Sequence, residues 1–255
     1  MSIIFINPYR FGAATPTDPN FADVSLLLHG DGANGSTTII DSSPTPKTVT
    51  AFGNAQISTA QSKFGGASIA LDGTGDYAST GNSSDLLMGS AVFTIECWFY
   101  PNVSGVTQVF LSSSKAGAQS FPSSSNVGWF FTTQTNNKVQ MIGSSGGGLK
   151  TVTGESSNTF TANTWNHVAV VKNVADGRYY IYLNGIRNAG TTIVFSGNIL
   201  EPFTSDPLIS VGGFGTGWNF GARFNGYIDD LRITKGVARY NTASFTPPTA
   251  PFPDA

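Results

Sequence analysis

The side chains in this sequence that could do chemistry are few, and their spacing is the first constraint on function. Hydrolysis of a glycosidic bond with retention needs two carboxyl groups roughly 5 to 5.5 Å apart, one as nucleophile and one as acid and base. On a strand that means acids two or four residues apart, because alternate side chains share a face. The three glutamates, Glu96, Glu155 and Glu201, are far apart, and Glu96 has Trp98 and Tyr100 at those offsets. Asp229 and Asp230 are adjacent, which on a regular strand places them on opposite faces. His29 and His167 stand in apolar strand segments, the setting of structural imidazoles. The sequence therefore predicts a protein that is not an enzyme.

Recognition of a sugar needs different parts: an aromatic plate for the apolar face of the ring, flanked by amides or hydroxyls. Trp218 lies in the Gly-rich stretch Gly215-Thr216-Gly217-Trp218-Asn219-Phe220 and has Asn219 beside it. Trp129 is the second candidate, with Asn126 and Gln134 near in sequence. Packing of Trp218 against a neighbouring loop or subunit is the competing role. Trp98 and Trp165 fall in strand segments and are predicted to be core.

These residues must be positioned by strands. The run 93–100 alternates, with Phe93, Ile95, Cys97 and Phe99 on one face and Thr94, Glu96, Trp98 and Tyr100 on the other. Asn184-Gly185 closes the strand 178–183 with the dipeptide that most readily takes the two positive φ values of a type I′ hairpin turn. Further strands are predicted at 24–28, 67–71, 106–112, 128–133, 138–142, 164–172, 192–195, 208–211 and 226–233, with one short helical turn within 235–241. So many strands without an amphipathic helix predict an all-β fold of closed or stacked antiparallel sheets. The Ser/Gly-rich stretches 112–126 and 143–148 are predicted loops.

Composition narrows the partners. Thirty glycines, nineteen phenylalanines and only 11% charged residues describe short strands joined by tight turns. A net charge of −2 and the absence of a Lys/Arg run argue against nucleic acid. Cys97, the single cysteine, cannot form an internal disulfide and reads as a small buried hydrophobe. No segment is apolar for the roughly 18 residues that span a bilayer, and the start Met1 to Arg10 lacks the pattern of a signal peptide, so synthesis in a cytoplasm without membrane insertion is expected. Residues 1–20 are predicted to be an extended arm ending in a Pro/Thr linker, and 243–255 a Pro-rich strap lying across a surface.

Several strings in order carry a resemblance. They are Leu26-Leu27-Leu28-His29-Gly30-Asp31-Gly32, Lys63-Phe64-Gly65-Gly66-Ala67, Leu71-Asp72-Gly73-Thr74-Gly75-Asp76-Tyr77, Phe93 to Phe99, Trp165-Asn166-His167-Val168-Ala169 and Ile228-Asp229-Asp230-Leu231-Arg232. Together they resemble the laminin-G-like, concanavalin A-like jelly-roll superfamily over about 24–240, which implies a lectin-like jelly roll at 21–242. The resemblance also implies one structural Ca2+, held by Asp229 with Asp72 or Asp76. Hydrogen bonding of these acids within turns and strands, without metal, is the alternative. The pentraxin ligand regions would fall at 113–120 and 212–217, which contain no Asp or Glu, so paired-calcium ligand binding is not implied. The wording of 232–240, with Phe245-Thr246-Pro247-Pro248 and the start Ile6 to Gly12, is similar to the variant in bacteriophage virion proteins. That likeness implies a virion decoration, fibre or tail component that is a homo-oligomer. It would join other virion proteins through its N-terminal arm and bind host cell-surface polysaccharide. A stand-alone carbohydrate-binding lectin is the alternative, and a glycan hydrolase the third.

Overall fold

The computed structural model describes residues 17–114, 127–145, 148–173, 178–188, 207–214 and 222–255. In chain order the strands are β1 (Val24–Leu28), β2 (Val49–Phe52), β3 (Gln56–Ser58), β4 (Ser68–Asp72), β5 (Tyr77–Thr80), β6 (Phe93–Pro101), β7 (Gln108–Ser114), β8 (Val127–Thr133), β9 (Val139–Ser145), β10 (Gly148–Glu155), β11 (Asn166–Lys172), β12 (Tyr179–Leu183), β13 (Ile186–Arg187), β14 (Leu208–Val211), β15 (Ala222–Arg223) and β16 (Asn225–Lys235). One sheet runs β13-β12-β11-β6-β16-β4-β3, with β1 also paired to β16; the other runs β10-β9-β8-β7-β14-β5-β2, with β15 beside β7. The result is an all-β sandwich of two sheets, the stacked one of the two arrangements that the strands allow and the one that the jelly-roll resemblance implies.

The alternation in β6 explains the layers. Phe93, Ile95, Cys97 and Phe99 enter the core between the sheets, where Phe99 stacks on Phe110 of the opposite sheet at 5.1 Å between ring centroids. The hairpin turn takes its expected form, with Asn184 at φ 51° and Gly185 at φ 77°. A Cβ on Gly185 would lie 2.0 Å from the Phe245 carbonyl oxygen, so only glycine lets the C-terminal segment pass this close. Strands β2, β3 and β5 are absent from the sequence expectations, since they are short and rich in Ser, Thr, Ala and Gln. Strand β10 is not among those expectations either, and β9 runs on to Ser145, inside the predicted loop 143–148. The predicted strand 192–195 and the arm residues 1–16 lie outside the described residues. The predicted helical turn at 235–241 does not form: Gly236 takes φ 96° and the chain leaves β16 extended, so that Arg239 and Tyr240 turn back onto the sheet.

The outer face of the β16 sheet is covered at one end. Phe252 packs with Val24, Leu27 and Phe21, and Phe245 packs with Tyr182, Tyr240, Ala169 and Val171. Beneath this cover lies an ionic network. Glu96, fully buried, accepts from Arg232 Nε at 3.0 Å and Nη2 at 2.7 Å, and from the Tyr240 hydroxyl at 2.7 Å. Asp18 accepts from Arg232 at 3.1 Å and from Arg239 at 3.0 and 2.6 Å. The Arg232 guanidinium also lies 3.6 Å from the Phe252 ring centroid. Burial alone would raise the Glu96 carboxyl, but the Arg232 charge and the hydrogen bonds around it hold it at about 2, against an ordinary 4.5.

Removing one partner of a buried pair strands the other charge, at a cost of about 3–5 kcal/mol. Arg232→Met is therefore expected to lose about that much in urea unfolding, whereas Glu155→Gln, at a half-exposed pair with Lys138, should change stability by no more than about 0.5 kcal/mol. Because the Glu96 carboxyl is depressed on folding, its contribution is complete above about 4.5 and lost as pH falls towards about 2. An acid titration followed by near-UV circular dichroism checks this, and Glu96→Gln should flatten the curve in that window.

Candidate functional site

At the other end the same outer face is open. Pairing registers place Gln56 of β3 beside Ala70 of β4, Ala70 beside Tyr227 of β16, and Tyr227 beside Tyr100 of β6. Inward neighbours Ile57, Ile69, Ile228 and Phe99 sit in the core, so these four residues point outward. Trp165, just before β11, extends the row. The Tyr227 and Tyr100 rings meet edge to face at 5.8 Å, and Tyr100 meets Trp165 at 5.5 Å. All three rings are half-buried.

Beside this aromatic strip is a cleft of about 450 Å³ lined by Asn54, Gln56, Asp72, Asn102, Asn225 and Tyr227, with Ala70, Leu71 and Asp76 at its floor. Its size falls within the range of small-molecule sites. Asp76, almost wholly buried, ties the lining together: its carboxylate accepts from the Asn54 backbone N–H at 2.5 Å and from the Asp72 N–H at 2.8 Å. Asp72 accepts from the Asn54 side-chain amide at 3.2 Å and the Thr74 N–H at 2.6 Å. These hydrogen bonds, the Asn54 amide first, together with the neighbouring Asp76 side chain hold the Asp72 carboxyl below the usual range, so it is charged at neutral pH. Asn102 bonds Asn225 through both backbone and side chain, the latter at 2.8 Å. A Cβ on Gly226 would meet the Tyr100 carbonyl oxygen at 2.1 Å, which ties close contact of β16 and β6 at the site to glycine.

Several expectations are corrected. Trp129 is completely buried in the core, 5.3 Å from Phe131 between ring centroids, and offers no plate to a sugar. Trp218 and Asn219 lie outside the described residues. Trp98 is buried, though not in the core: it faces outward under Lys63, whose Nζ is 3.9 Å from the ring centroid, and Phe64. Trp165 is half-exposed rather than core. Sequence reasoning missed Tyr100 and Tyr227 as a site. The outward parity of β6 and β16 contained that signal, but nothing in parity tells an open outward ring from a covered one.

Asp229 and Asp230 do not take opposite faces. The pairing register of β16 with β6 shifts between Asp229 and Arg232, and Asp230 adopts φ 50°, a β-bulge that leaves both Ile228 and Leu231 in the core. Both acids therefore turn outward, and both are buried. Asp229 accepts from the Lys63 and Phe64 N–H groups at 2.7 and 3.1 Å, while Asp230 accepts from the Phe252 N–H at 2.8 Å and bonds His29 Nδ1 at 2.7 Å. The calcium set is not assembled. Asp72 pairs with Asn225, four residues and so about 13 Å along the strand from Asp229. Among the described residues no three His, Cys, Asp or Glu side chains converge to hold a metal. His167 is buried on the outer face, 3.4 Å from Glu96 and edge-on to Trp98 and Phe245, which is a packing role.

Burial, with like charge from Asp230 and Asp31, raises the Asp229 carboxyl to about 7 despite its two N–H donors. A carboxyl raised on folding favours the native state while protonated, so its contribution is lost as pH rises from about 4 through about 7. Asp31, raised by burial, acts in the same direction. For His29, burial opposes protonation, but the Asp230 hydrogen bond and charge outweigh it and raise the imidazole, with the same consequence. Asp229→Asn is expected to be more stable than wild type at pH 8 and to lose less stability between pH 5 and 8, measured by urea unfolding at both values.

The profile of the concanavalin A-like lectin/glucanases superfamily of laminin G type matches residues 72–239. The chain belongs to that family. No curated protein matches the sequence. Among solved structures, the binding domain of Paraclostridial Mosquitocidal Protein 1 aligns with TM-score 0.60 and 17% identity over 86% of this chain and 50% of that one. Domain 4 of AbnA, a GH43 extracellular arabinanase from Geobacillus stearothermophilus solved with arabinotriose, aligns with TM-score 0.56 and 15% identity, covering 85% and 94%. The binding domain of botulinum neurotoxin DC in complex with rat synaptotagmin II aligns with TM-score 0.53 and 16% identity, covering 92% and 50%. The chain thus spans about half the length of the toxin binding domains it matches. Among the described residues no helix is long and apolar enough to cross a membrane.

Proposed function

We propose that this chain is a non-enzymatic carbohydrate-binding jelly roll, and that it serves a bacteriophage particle as a decoration, fibre or tail component contacting host glycan. The observation that carries the binding reading is the cleft of amides and a carboxylate set beside Tyr227, Tyr100 and Trp165. Amides both donate and accept, which matches the dual character of sugar hydroxyls, and aromatic rings suit the apolar faces of sugars. A relative of the same fold, the arabinanase domain, was solved with a bound oligosaccharide, which supports this reading.

The non-enzymatic reading is supported by the acids among the described residues. A glycosidase acid must hold a proton near neutral pH. Asp72 is shifted the opposite way, and Asp76 is buried with its oxygens committed to two backbone N–H groups. The other adjacent pair, Asp229 and Asp230, is sealed under the 63–64 loop and Phe252. The virion setting rests on the likeness of 232–240 and 6–12 to phage structural proteins; mass spectrometry of purified particles, in which the protein must copurify with the virion, tests it.

Binding is tested by calorimetry with extracted host polysaccharides. Saturable binding is expected, with Tyr227→Ala and Tyr100→Ala each weakening it about tenfold or more, the equivalent of about 1.4 kcal/mol, while melting temperatures stay close to wild type. A folded wild-type protein that binds no polysaccharide and no intact host cell defeats the carbohydrate reading.

A further inference from the structure

We propose that the cleft and the aromatic strip form one continuous site for a run of uncharged sugar rings, and that the site rejects acidic glycans. The inference rests on the carbohydrate reading above and adds the class of ligand and the direction in which it lies.

Direction follows from the register. Ala70, Tyr227 and Tyr100 sit side by side on neighbouring strands, and Trp165 continues their line past the start of β11. Neighbouring strands lie about 4.8 Å apart, so this row runs across the strands for about 14 Å. The ring-to-ring steps along it, 5.8 and 5.5 Å, present three successive aromatic groups. One sugar ring cannot cover them all. A chain that places one ring among the amides of Asn54, Gln56, Asn102 and Asn225 carries its next rings over Tyr100 and Trp165.

Charge selection follows from the lining. The cleft contains carboxylates and neutral amides, and among the described residues no Lys or Arg lines it. The nearby cation at Arg223 is turned away: its guanidinium donates to the Phe214 carbonyl at 2.9 Å and stacks over Tyr77. Asp72 lies on the exposed side, bonded to the Asn54 amide and the Thr74 N–H and facing Asp76, and an exposed carboxylate has further lone pairs to offer sugar hydroxyls. A uronate, sialate or sulfate placed there would face the like charge of Asp72 without a cation in the lining to offset it.

The test uses an array of defined oligosaccharides of one to five units, each neutral member paired with its uronate, sialylated or sulfated counterpart, followed by calorimetry on the strongest binder and its monosaccharide. Neutral chains are expected to bind at least tenfold more tightly than their acidic counterparts, and affinity is expected to rise with length up to three units. In Asp72→Asn, which keeps shape and removes charge, the gap between neutral and acidic members should close. In Trp165→Ala, on a half-exposed residue, the advantage of the trisaccharide over the monosaccharide should shrink about tenfold. Acidic glycans that bind as well as neutral ones overturn the inference and leave the carbohydrate reading standing. So does a Trp165→Ala effect equal for monosaccharide and trisaccharide. Binding to no glycan at all, by a protein with a native circular dichroism spectrum, overturns the reading itself.

Discussion

A buried carboxylate cannot remain ionised in a protein interior without a cation and hydrogen bonds to replace its water. Glu96 meets that requirement through Arg232 and Tyr240, and Arg232 in turn is shared with Asp18, which also holds Arg239. These partners come from four parts of the chain. Glu96 is on the central strand β6, Arg232 on its neighbour β16, Tyr240 and Arg239 on the segment that follows, and Asp18 ahead of β1. The network therefore joins the two central strands and both flanking segments in one polar cluster. It is sealed by Phe252 on the Arg232 face and Phe245 against Tyr240. Satisfied, it specifies how the C-terminal segment lies; with one member missing, it becomes a buried charge.

Strand β16 has to serve this cluster and the candidate site together. On a regular strand, an outward Arg232 would send Tyr227, five residues earlier, into the core. The bulge at Asp229 and Asp230 removes the conflict. It leaves Asn225 and Tyr227 outward in the cleft, Ile228, Leu231 and Ile233 inward, and Arg232 outward in the ionic cluster. The bulge also coincides with the change of partner, since β16 pairs with β4 over Asn225 to Ile228 and with β1 over Leu231 to Thr234. Asp230 is one of few non-glycine types that tolerate the positive φ at this point. The adjacent acids that look catalytic in the sequence are thus parts of a hinge between two halves of one strand.

The outer face of the β16 sheet is divided accordingly. One end is dry, covered by Phe245, Phe252 and the loop at Phe64; the other presents amides, Asp72 and the row of aromatic rings. The open end rests on the paired strands β3, β4, β16 and β6. The raised carboxyl of Asp229 sits at the border between the ends, under burial and like charge from Asp230 and Asp31, so that border responds to pH in the neutral range.

The sequence by itself determined the architecture. Alternation over 93–99, the Asn184-Gly185 turn, abundant glycine and the ordered family strings sufficed for a β-sandwich and for which face of β6 enters its core. These are local properties: a side-chain period and a turn conformation depend on neighbours a few residues away. Tertiary structure alone decided which outward residues meet solvent. Trp98 and Tyr100 share a face and differ by two positions, yet Trp98 is covered by Lys63 and Phe64 while Tyr100 lines an open strip beside Trp165. The bulge was equally invisible, because it answers to partners on β1, β4 and β6 at once. Trp129, a strand tryptophan between Gly and Phe, could not be told from a surface plate until the opposite sheet covered it. Burial of an outward residue is set by chain segments distant in sequence, and that information is absent from any local pattern.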